Sequence, residues 1–415
     1  MSRRLKISAF TLEGLNSFAT VLYFNYLYFF MRDTFGFDNK HNLLLASFLG
    51  LVYVFAAWQA GKFAQHYGYF NALKLGFSIM AVSLAAGAFL HTAVGAIIAA
   101  SCVTIGMCFI WPTLEAMVSD AESAARLPNI VGMYNVVWAV TNAAAFFIGG
   151  TLIEMTEGHK IPFLPPLASE MYKIIFLLPF VVVIAQMILV FWMQRHATDL
   201  AREALNQPKT ELPPEPHRPA SPRAKAFLKM AWMANPFAYI AIQTLIAITP
   251  GIRDKFHLST MMAGFVCTLW CFVRLGFFVV FWHWTDWHYR FRWLVISFIL
   301  LILSFATILM APNLAVLIVA QIFFGGAIGL IYYSSLFYSM DAGDTRGEHG
   351  GIHEAAIGLG NCLGPAIGAA AMQWAPGNPN SGAIAVSALL LCGLGGLIGI
   401  WKQADKKHRT SNTER

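Results

Sequence analysis

The stretch IIFLLPFVVVIAQMILVFW, residues 174–192, decides the class of fold, because Gln186 is its only strongly polar side chain. A run of about 20 apolar residues is the length that an α-helix needs to cross a bilayer. The strands of a membrane barrel are shorter, about 10 residues, and alternate apolar with polar side chains. The stretch therefore predicts a membrane-spanning helix.

The composition of the whole chain agrees with a membrane protein. Of its 415 residues, 58% are hydrophobic and 12% are charged. A soluble domain carries about 25% charged residues, so an ordinary soluble fold is excluded. We predict an all-α membrane protein.

Similar apolar runs recur along the chain. The start, MSRRLKISAF, is basic and leads into an apolar run to about residue 31 without a cleavage site, so it is interpreted as the first span and not as a signal peptide. A segment rich in proline and charge divides the chain into residues 1–195, a linker at 196–226, residues 227–402 and a tail at 403–415. We predict twelve spans, at residues 8–31, 42–61, 72–91, 93–117, 129–152, 172–194, 227–250, 259–284, 291–310, 313–338, 350–374 and 381–401.

The basic residues predict the orientation of these spans. Of the 28 Lys and Arg residues, 21 lie on the side that holds both termini, six lie in the opposite loops, and Arg274 lies inside a span. The positive-inside rule therefore places both termini in the cytoplasm. The net charge of +7 follows from this distribution and does not indicate nucleic-acid binding. The chain contains no N-x-S/T sequon, which favours a bacterial inner membrane.

Neither a metal site nor a cofactor is indicated. The six cysteines all lie in apolar runs and form no CxxC pair, so neither a metal site nor a disulfide framework is expected. No phosphate-binding GxxxxGK[ST] motif occurs, which argues against ATP as the energy source.

The two halves of the chain repeat each other. MRDTF at 31–35 returns as IRDKF at 252–256, which is 221 positions later, and Asp120 returns as Asp341 at the same distance. In spans five and eleven the distance is 219, since Asn142 corresponds to Asn361. Six helices repeated with the same orientation imply a two-fold axis along the membrane normal and a substrate site between the halves.

Two loop segments resemble a signature of the major facilitator superfamily. They are GKFAQHYGYFNAL at 61–73, where Gln65 replaces the usual aspartate, and WHWTDWHYRFRWL at 282–294. The resemblance covers nearly the whole chain and implies two six-helix bundles that work as a monomer. It also implies an inner gate or latch, for which the candidates are Glu13, Glu115, Asp120, Asp286, Arg290, Arg292 and Asp341.

The resemblance further implies which spans surround the substrate. Spans 1, 4, 7 and 10 are expected to line a cavity, spans 2, 5, 8 and 11 to meet across the two halves, and spans 3, 6, 9 and 12 to support them. The polar side chains agree, because the interiors of the supporting spans carry only Gln186 and small hydroxyl groups, and their charged residues, such as Lys74, lie near the span ends. The candidates for the cavity are Arg274, Asn135, Trp138, Asn142, Asn361, Trp111, Tyr332, Tyr333, Tyr23 and Gln243.

Arg274 is the most unusual of these residues, because it lies about 22 Å below the start of its span, in the middle of the bilayer. An arginine there costs about 2.5–3.5 kcal/mol on insertion scales. Three interpretations stay open: it binds an anionic group of the substrate, it pairs permanently with Glu115 or Glu354, or it lines a wet channel. Its repeat equivalent is Tyr53, so the symmetry of the fold does not require a charge.

Glu354 and the adjacent His353 are candidates for proton coupling, because a buried carboxylate and a histidine can both take up a proton near neutral pH. The alternative is that Glu354 forms a hydrogen bond across the interface between the halves.

The sequence therefore predicts a secondary transporter that works by alternating access. Its solute is a small organic molecule, for which Arg274 favours an anionic group, and it is driven by an ion or proton gradient or by the solute's own gradient. An exporter of drugs or sugars is the alternative, since GNCLGPAIG at 360–368 is similar to the GxxxGPxxG pattern that drug/proton antiporters carry in span five. A membrane enzyme would need a cluster of catalytic residues that the sequence does not offer. A sensor would need a larger cytoplasmic domain.

Overall fold

The computed structural model of the protein describes residues 3–119, 127–158, 167–205, 221–342 and 346–413. Every regular element within these ranges is an α-helix. The helices are α1 (Arg3–Phe35), α2 (Asn39–Tyr67), α3 (Tyr69–Gly87), α4 (Ala93–Ser119), α5 (Leu127–Thr156), α6 (Ile174–Leu205), α7 (Pro222–Lys255), α8 (Thr260–Val266), α9 (Leu269–His283), α10 (Phe291–Met310), α11 (Leu314–Ala342), α12 (Arg346–Trp374) and α13 (Ser381–Thr413).

These helices form twelve spans, as the sequence predicts. In the part of the chain that the structure describes, eleven spans are long and apolar enough to cross a membrane, and α8 and α9 together make one of them, Thr260–His283. Helix α1 supplies the twelfth span. It is more polar than the others because it carries Asn16, Ser17 and Thr20, which are buried inside the bundle and do not face lipid. We call the face of the bundle with both termini the terminal face, and the opposite one the distal face.

The supporting helices stay within their own half. Helices α3 and α6 pack against each other and against α4 and α1, whereas α10 and α13 pack against α11, α7 and each other. Contact between the halves is made mainly by α2 with α12 and by α5 with α8 and α9. Spans 2, 5, 8 and 11 therefore meet at the interface, which confirms the expected arrangement.

The glycines of the GNCLGPAIG segment allow α12 to approach α7 closely. A Cβ atom on Gly360 would lie 2.3 Å from the carbonyl oxygen of Pro236, and one on Gly364 would lie 2.6 Å from that of Ile240. Real Cβ atoms do not come so close to backbone oxygens, so these positions require glycine. In this chain the motif therefore serves helix packing within the C-terminal half.

The eighth span is broken, which the sequence does not reveal. Helix α8 ends at Val266, α9 begins at Leu269, and neither glycine nor proline lies between them. Gln321 of α11 satisfies the freed backbone groups, since its Nε2 donates to the Val266 carbonyl (2.8 Å) and its Oε1 accepts from the Trp270 amide (3.5 Å). A side chain that inserts into the hydrogen-bond ladder is a known cause of helix kinks.

We expect Gln321→Leu to destabilise the protein, because it leaves these backbone groups without a partner inside the membrane. An unsatisfied buried group costs about 1–3 kcal/mol, so the melting temperature of the purified protein should fall by a few degrees. Thr307→Ala, which removes an exposed hydroxyl bonded only to its own helix, is the control and should change stability by less than about 0.5 kcal/mol. An unchanged melting temperature for Gln321→Leu would mean that the break does not depend on Gln321.

Several helices extend beyond the predicted spans. Helix α6 continues to Leu205 and α7 begins at Pro222, so both enter the segment predicted as a linker. Helix formers such as alanine, leucine and glutamate follow residue 195, and Ser221 caps α7 by accepting from the amide of Ala224. Helix α13 runs on through the predicted tail to Thr413.

Candidate substrate-binding site

A central cavity of about 160 Å³ lies between the two halves. Among the described residues eight helices line it, and α3, α6, α8, α10 and α13 contribute no residue. The expected cavity helices are therefore joined by parts of α2, α5, α9 and α12. The sequence candidates that line the cavity are Arg274, Trp138, Asn142, Asn361, Trp111, Tyr332 and Gln243, together with Glu115 and Glu354.

Aromatic rings surround the Arg274 guanidinium. Its central carbon lies 4.4 Å from the ring centroid of Trp138 on α5 and 5.0 Å from that of Trp270, one turn earlier on α9. The residue is only 3% exposed. Cation–π contacts partly compensate a buried guanidinium for lost water, and they do so without neutralising it.

Arg274 has no acidic partner among the residues that the structure describes. No carboxylate oxygen there lies within the 4.0 Å limit of a salt bridge to it, although Glu115 and Glu354 line the same cavity. Its Nε atom is buried without a hydrogen-bond partner. The permanent pair with Glu115 or Glu354 is therefore not formed in this structure, and the positive charge stays available to the cavity.

The Trp138 ring belongs to a stack that fixes its orientation. It lies parallel to Tyr332 of α11, with an interplanar angle of 10° and 5.2 Å between the centroids. Phe278 of α9 also stacks on it, at 6.2 Å. The stack joins helices from both halves, so the surroundings of Arg274 depend on how the halves are arranged.

Glu354 binds across the interface between the halves. The Tyr53 hydroxyl of α2 donates a hydrogen bond to Oε2 of Glu354, and Glu354 is buried. The alternative expectation for Glu354, a hydrogen bond between the halves, is thus confirmed. Since Glu354 also lines the cavity, the bond connects the cavity lining to the interface between the halves.

Neutral polar groups complete the lining. Gln243 of α7 donates through Nε2 to the Tyr28 hydroxyl of α1 (2.7 Å), which links the halves near the distal end of the cavity. Asn361 lines the cavity with its Oδ1 buried and without a hydrogen-bond partner. Carboxamides and aromatic rings of this kind suit hydroxyl groups and flat ring faces of a solute.

Three sequence candidates do not line the cavity. Tyr23 packs against Phe176 of α6, because the cavity-facing side of α1 carries Tyr28, which lies about 140° from Tyr23 around the helix. Tyr333 packs against Trp287 at the terminal end of the C-terminal half. Asn135 is buried, and its two side-chain polar atoms have no hydrogen-bond partner in the structure.

Two of the gate candidates of the N-terminal half, Glu13 and Glu115, differ in position. Glu13 is fully buried and accepts hydrogen bonds from Ser17 (2.8 Å) and from the indole of Trp111 (3.3 Å), so it links α1 to α4. Glu115 lines the cavity directly. A role for Glu115 towards the solute is therefore as well supported as a role in gating.

The loop between α9 and α10 is held by aromatic packing and by a hydrogen bond from Arg223 to the Tyr289 carbonyl (2.8 Å), not by ion pairs of its own charged residues. Asp286, Arg290 and Arg292 are exposed, and none of them forms an ion pair within the described part of the chain. Trp287 is instead buried among aromatic rings, including that of Phe337. The charged latch that the resemblance implies is not formed among these residues.

Three further candidates have side chains outside the described part of the chain. Asp120 lies outside the described residues, and Asp341 and His353 are described as parts of α11 and α12 without their side chains.

Other residues of the site were missed by the sequence analysis. Trp270 lies four residues before Arg274 and thus on the same helix face, a spacing that could have revealed it. Tyr134 and Tyr239 also line the cavity. They belong to aromatic-rich spans in which no pattern distinguishes cavity-facing from packed rings. Among the described residues there is no group of three His, Cys, Asp or Glu side chains that could hold a metal ion.

A repeat of six spans around a central cavity is an architecture that many secondary transporters share. The family model of the Major Facilitator Superfamily matches residues 9–365, and the chain belongs to this superfamily. None of the curated proteins compared matches the chain.

Solved structures of transporters share the fold. The human organic anion transporter MFSD10 is 14% identical with a TM-score of 0.68, over 95% of this chain and 99% of its own. The xylose transporter XylE from E. coli is 11% identical with a TM-score of 0.68, over 96% of each chain. The nucleoside transporter NupG is 14% identical with a TM-score of 0.63, over 96% of this chain and 99% of its own. Identities this low establish the fold and not the substrate.

Proposed function

We propose that the protein is a secondary transporter, not an enzyme, and that it carries a small organic anion by alternating access. The observation that carries this proposal is Arg274, which lines the cavity and forms no ion pair among the described residues. A guanidinium is charged at every physiological pH and offers paired donors to carboxylate or phosphate groups. A buried charge without a protein partner is costly, so a transient anionic partner explains its presence.

We further propose that proton movement through Glu354 drives the transport. Glu354 lines the same cavity as Arg274, and its hydrogen bond to Tyr53 links it to the moving interface. Protonation of Glu354 would both change the charge of the cavity and alter the hydrogen bond between Glu354 and Tyr53. Uptake of an anion together with a proton is electrically neutral for a monovalent solute, so a membrane potential would not oppose it.

A neutral solute such as a sugar or nucleoside is the second candidate. Asn142, Asn361 and Gln243 supply uncharged hydrogen-bonding groups, and Trp111 and Tyr332 supply flat rings in the same cavity. The cavity is about as large as one that holds a benzene ring, which favours a small solute over a large drug. The glycine motif that suggested a drug exporter serves the packing of α12 on α7.

The positive-inside distribution supports cytoplasmic termini, and the absence of sequons supports a bacterial inner membrane. No feature of the described surface calls for a second copy, so we propose a monomer in the lipid bilayer.

A thermal-shift screen of the purified protein tests the substrate class. The panel contains organic acids, phosphate esters, sugars, nucleosides and cationic drugs, and Arg274→Gln is measured beside the wild type. A ligand that binds only the folded state raises the melting temperature by mass action. Stabilisation of the wild type alone by an anion supports the proposal. Equal stabilisation of both proteins by a sugar or nucleoside contradicts it and favours the second candidate.

A further inference from the structure

The repeated Arg–Asp dipeptides meet at the distal face, at the ends of α1 and α7. The Nε atom of Arg32 lies 2.6 Å from Oδ2 of Asp254. Arg253 forms a bidentate ion pair with Asp33, in which Nη1 lies 2.6 Å from Oδ2 and Nη2 lies 2.7 Å from Oδ1. Each copy of the dipeptide thus binds the opposite charges of the other copy, across the boundary between the halves.

Similar helix ends place the two dipeptides. Helix α1 ends before Gly36 and α7 ends before His257, and these positions are equivalent in the repeat. Both residues have a positive φ angle, 71° and 52° respectively, which terminates a helix in the left-handed conformation. Glycine adopts this conformation freely, whereas histidine is strained there, so the second copy maintains the helix end despite the strain.

Further contacts make the four charges into a connected network. Nη2 of Arg253 also lies 2.8 Å from Oδ1 of Asp254. The Tyr172 hydroxyl, just before α6, donates to Asp33, and Nη1 of Arg32 donates to Asn39 at the start of α2 (3.1 Å). The network therefore involves both halves and neutralises its own charge.

The bidentate pair is partly sheltered from water. The Arg253 side chain is 13% exposed and that of Asp33 is 25% exposed. Burial alone would raise the pKa of Asp33, which lies beyond the apolar run of α1, but the hydrogen bonds from Arg253 and Tyr172 outweigh it and lower this pKa. Exposed ion pairs contribute little as a rule, but bidentate pairs within a network contribute more.

The network lies directly beyond the distal end of the cavity. Tyr28 and Ile246 line the cavity, and the Arg–Asp dipeptides follow them on α1 and α7 within one to two turns. Nearby, Glu154 of α5 accepts from the Met261 amide of α8 (2.8 Å). Both contacts join the halves on the distal side, so a path from the cavity to this face must separate them.

We propose that the two crossed Arg–Asp pairs are a lock that holds the distal face closed and must break whenever the cavity opens to that side. The lock uses only the repeated dipeptides and does not depend on the identity of the solute. If the lock is disproved, the proposed function is not affected, and if the proposed function is disproved, the lock is not affected.

Exchanging Arg and Asp within one dipeptide or within both tests pairing directly. In the one-copy variant, Arg32→Asp with Asp33→Arg, like charges face each other. In the two-copy variant, which adds Arg253→Asp and Asp254→Arg, opposite charges face each other again. Ile246→Cys is introduced beneath the lock, and intact cells are treated with a membrane-impermeant maleimide. The same proteins without Ile246→Cys report the labelling of the native cysteines.

We expect slow labelling in the native dipeptides, labelling at least about tenfold faster in the one-copy variant, and slow labelling again in the two-copy variant. Glu170→Gln, which removes an exposed distal charge paired with Lys173 inside the N-terminal half, is the control and should label slowly. Equal rates in all variants, or fast labelling in the two-copy variant, would overturn the proposal. If the one-copy variant does not fold, Asp254→Asn is measured in its place. We expect it to be labelled faster than the native protein, and an unchanged labelling rate would contradict the lock.

Discussion

Arg274→Gln should lose most of its affinity for the anionic ligand that the screen identifies, while its melting temperature without ligand should not fall. Hydrogen bonds to a charged group contribute about 1.5–3 kcal/mol, which corresponds to a loss of about 10- to 150-fold in affinity. Arg274→Lys keeps the charge but not the paired donors, so an intermediate loss is expected.

The stability of the same variant separates ligand binding from internal pairing. If Arg274 balanced a buried carboxylate, its removal would leave that charge uncompensated and cost about 3–5 kcal/mol. Without such a partner, removal of a buried cation relieves desolvation and leaves only the lost contacts with Trp138 and Trp270.

The measurement is ligand binding by calorimetry beside thermal unfolding, with Arg290→Gln as the control. Arg290 is exposed, and within the described residues it has no ion pair, so both properties should match the wild type. Normal transport by Arg274→Lys, combined with misfolding of Arg274→Gln, would contradict the substrate role.

The second large effect is expected for Glu354→Gln, which should abolish accumulation against a gradient but leave exchange of the solute intact. Glutamine keeps the size and polarity of the side chain but cannot take up and release a proton. A difference of one pH unit corresponds to 1.36 kcal/mol, which allows about tenfold accumulation when one proton accompanies each solute. Proteoliposomes with an imposed pH gradient should therefore accumulate the solute with the wild type and only equilibrate it with Glu354→Gln.

Three controls identify the group that carries the proton. Tyr53→Phe removes the hydrogen bond to Glu354 but no titratable carboxyl, so it should still accumulate the solute, at a changed rate. If Tyr53→Phe instead equalled Glu354→Gln, the bond would be essential and the proton role unsupported. Loss of accumulation in Glu115→Gln or His353→Ala, but not in Glu354→Gln, would move the coupling role to that residue.

The features that could be predicted from the sequence are those that depend on local patterns. Apolar runs of bilayer length predict the spans whatever their neighbours are, and the spacing of the repeat predicts how the halves are related. The polar residues predict the cavity helices, because a helix without polar side chains can face lipid, whereas polar side chains inside the membrane turn towards the bundle interior. Arg274, Trp138 and Asn361 were found in this way, and they line the cavity.

The features that could not be predicted depend on contacts between distant parts of the chain. The break in the eighth span needs Gln321 from another helix. The choice of Tyr53 as the partner of Glu354 depends on how α2 and α12 pack. Tyr23 and Tyr28 carry the same phenolic hydroxyl group, and only the surrounding helices determine which of them faces the cavity.

The crossed dipeptides have a consequence for the origin of the chain. Their pairing is isologous, since each copy offers the other the same two groups, as in a symmetric dimer. A homodimer of either six-span half would therefore have formed the same contacts before any fusion joined the halves. Arg274 and its repeat equivalent Tyr53, in contrast, differ in charge, and a homodimer of either half cannot contain this difference. The contacts at the distal face are thus compatible with two identical halves, whereas the single charge in the cavity requires two different ones.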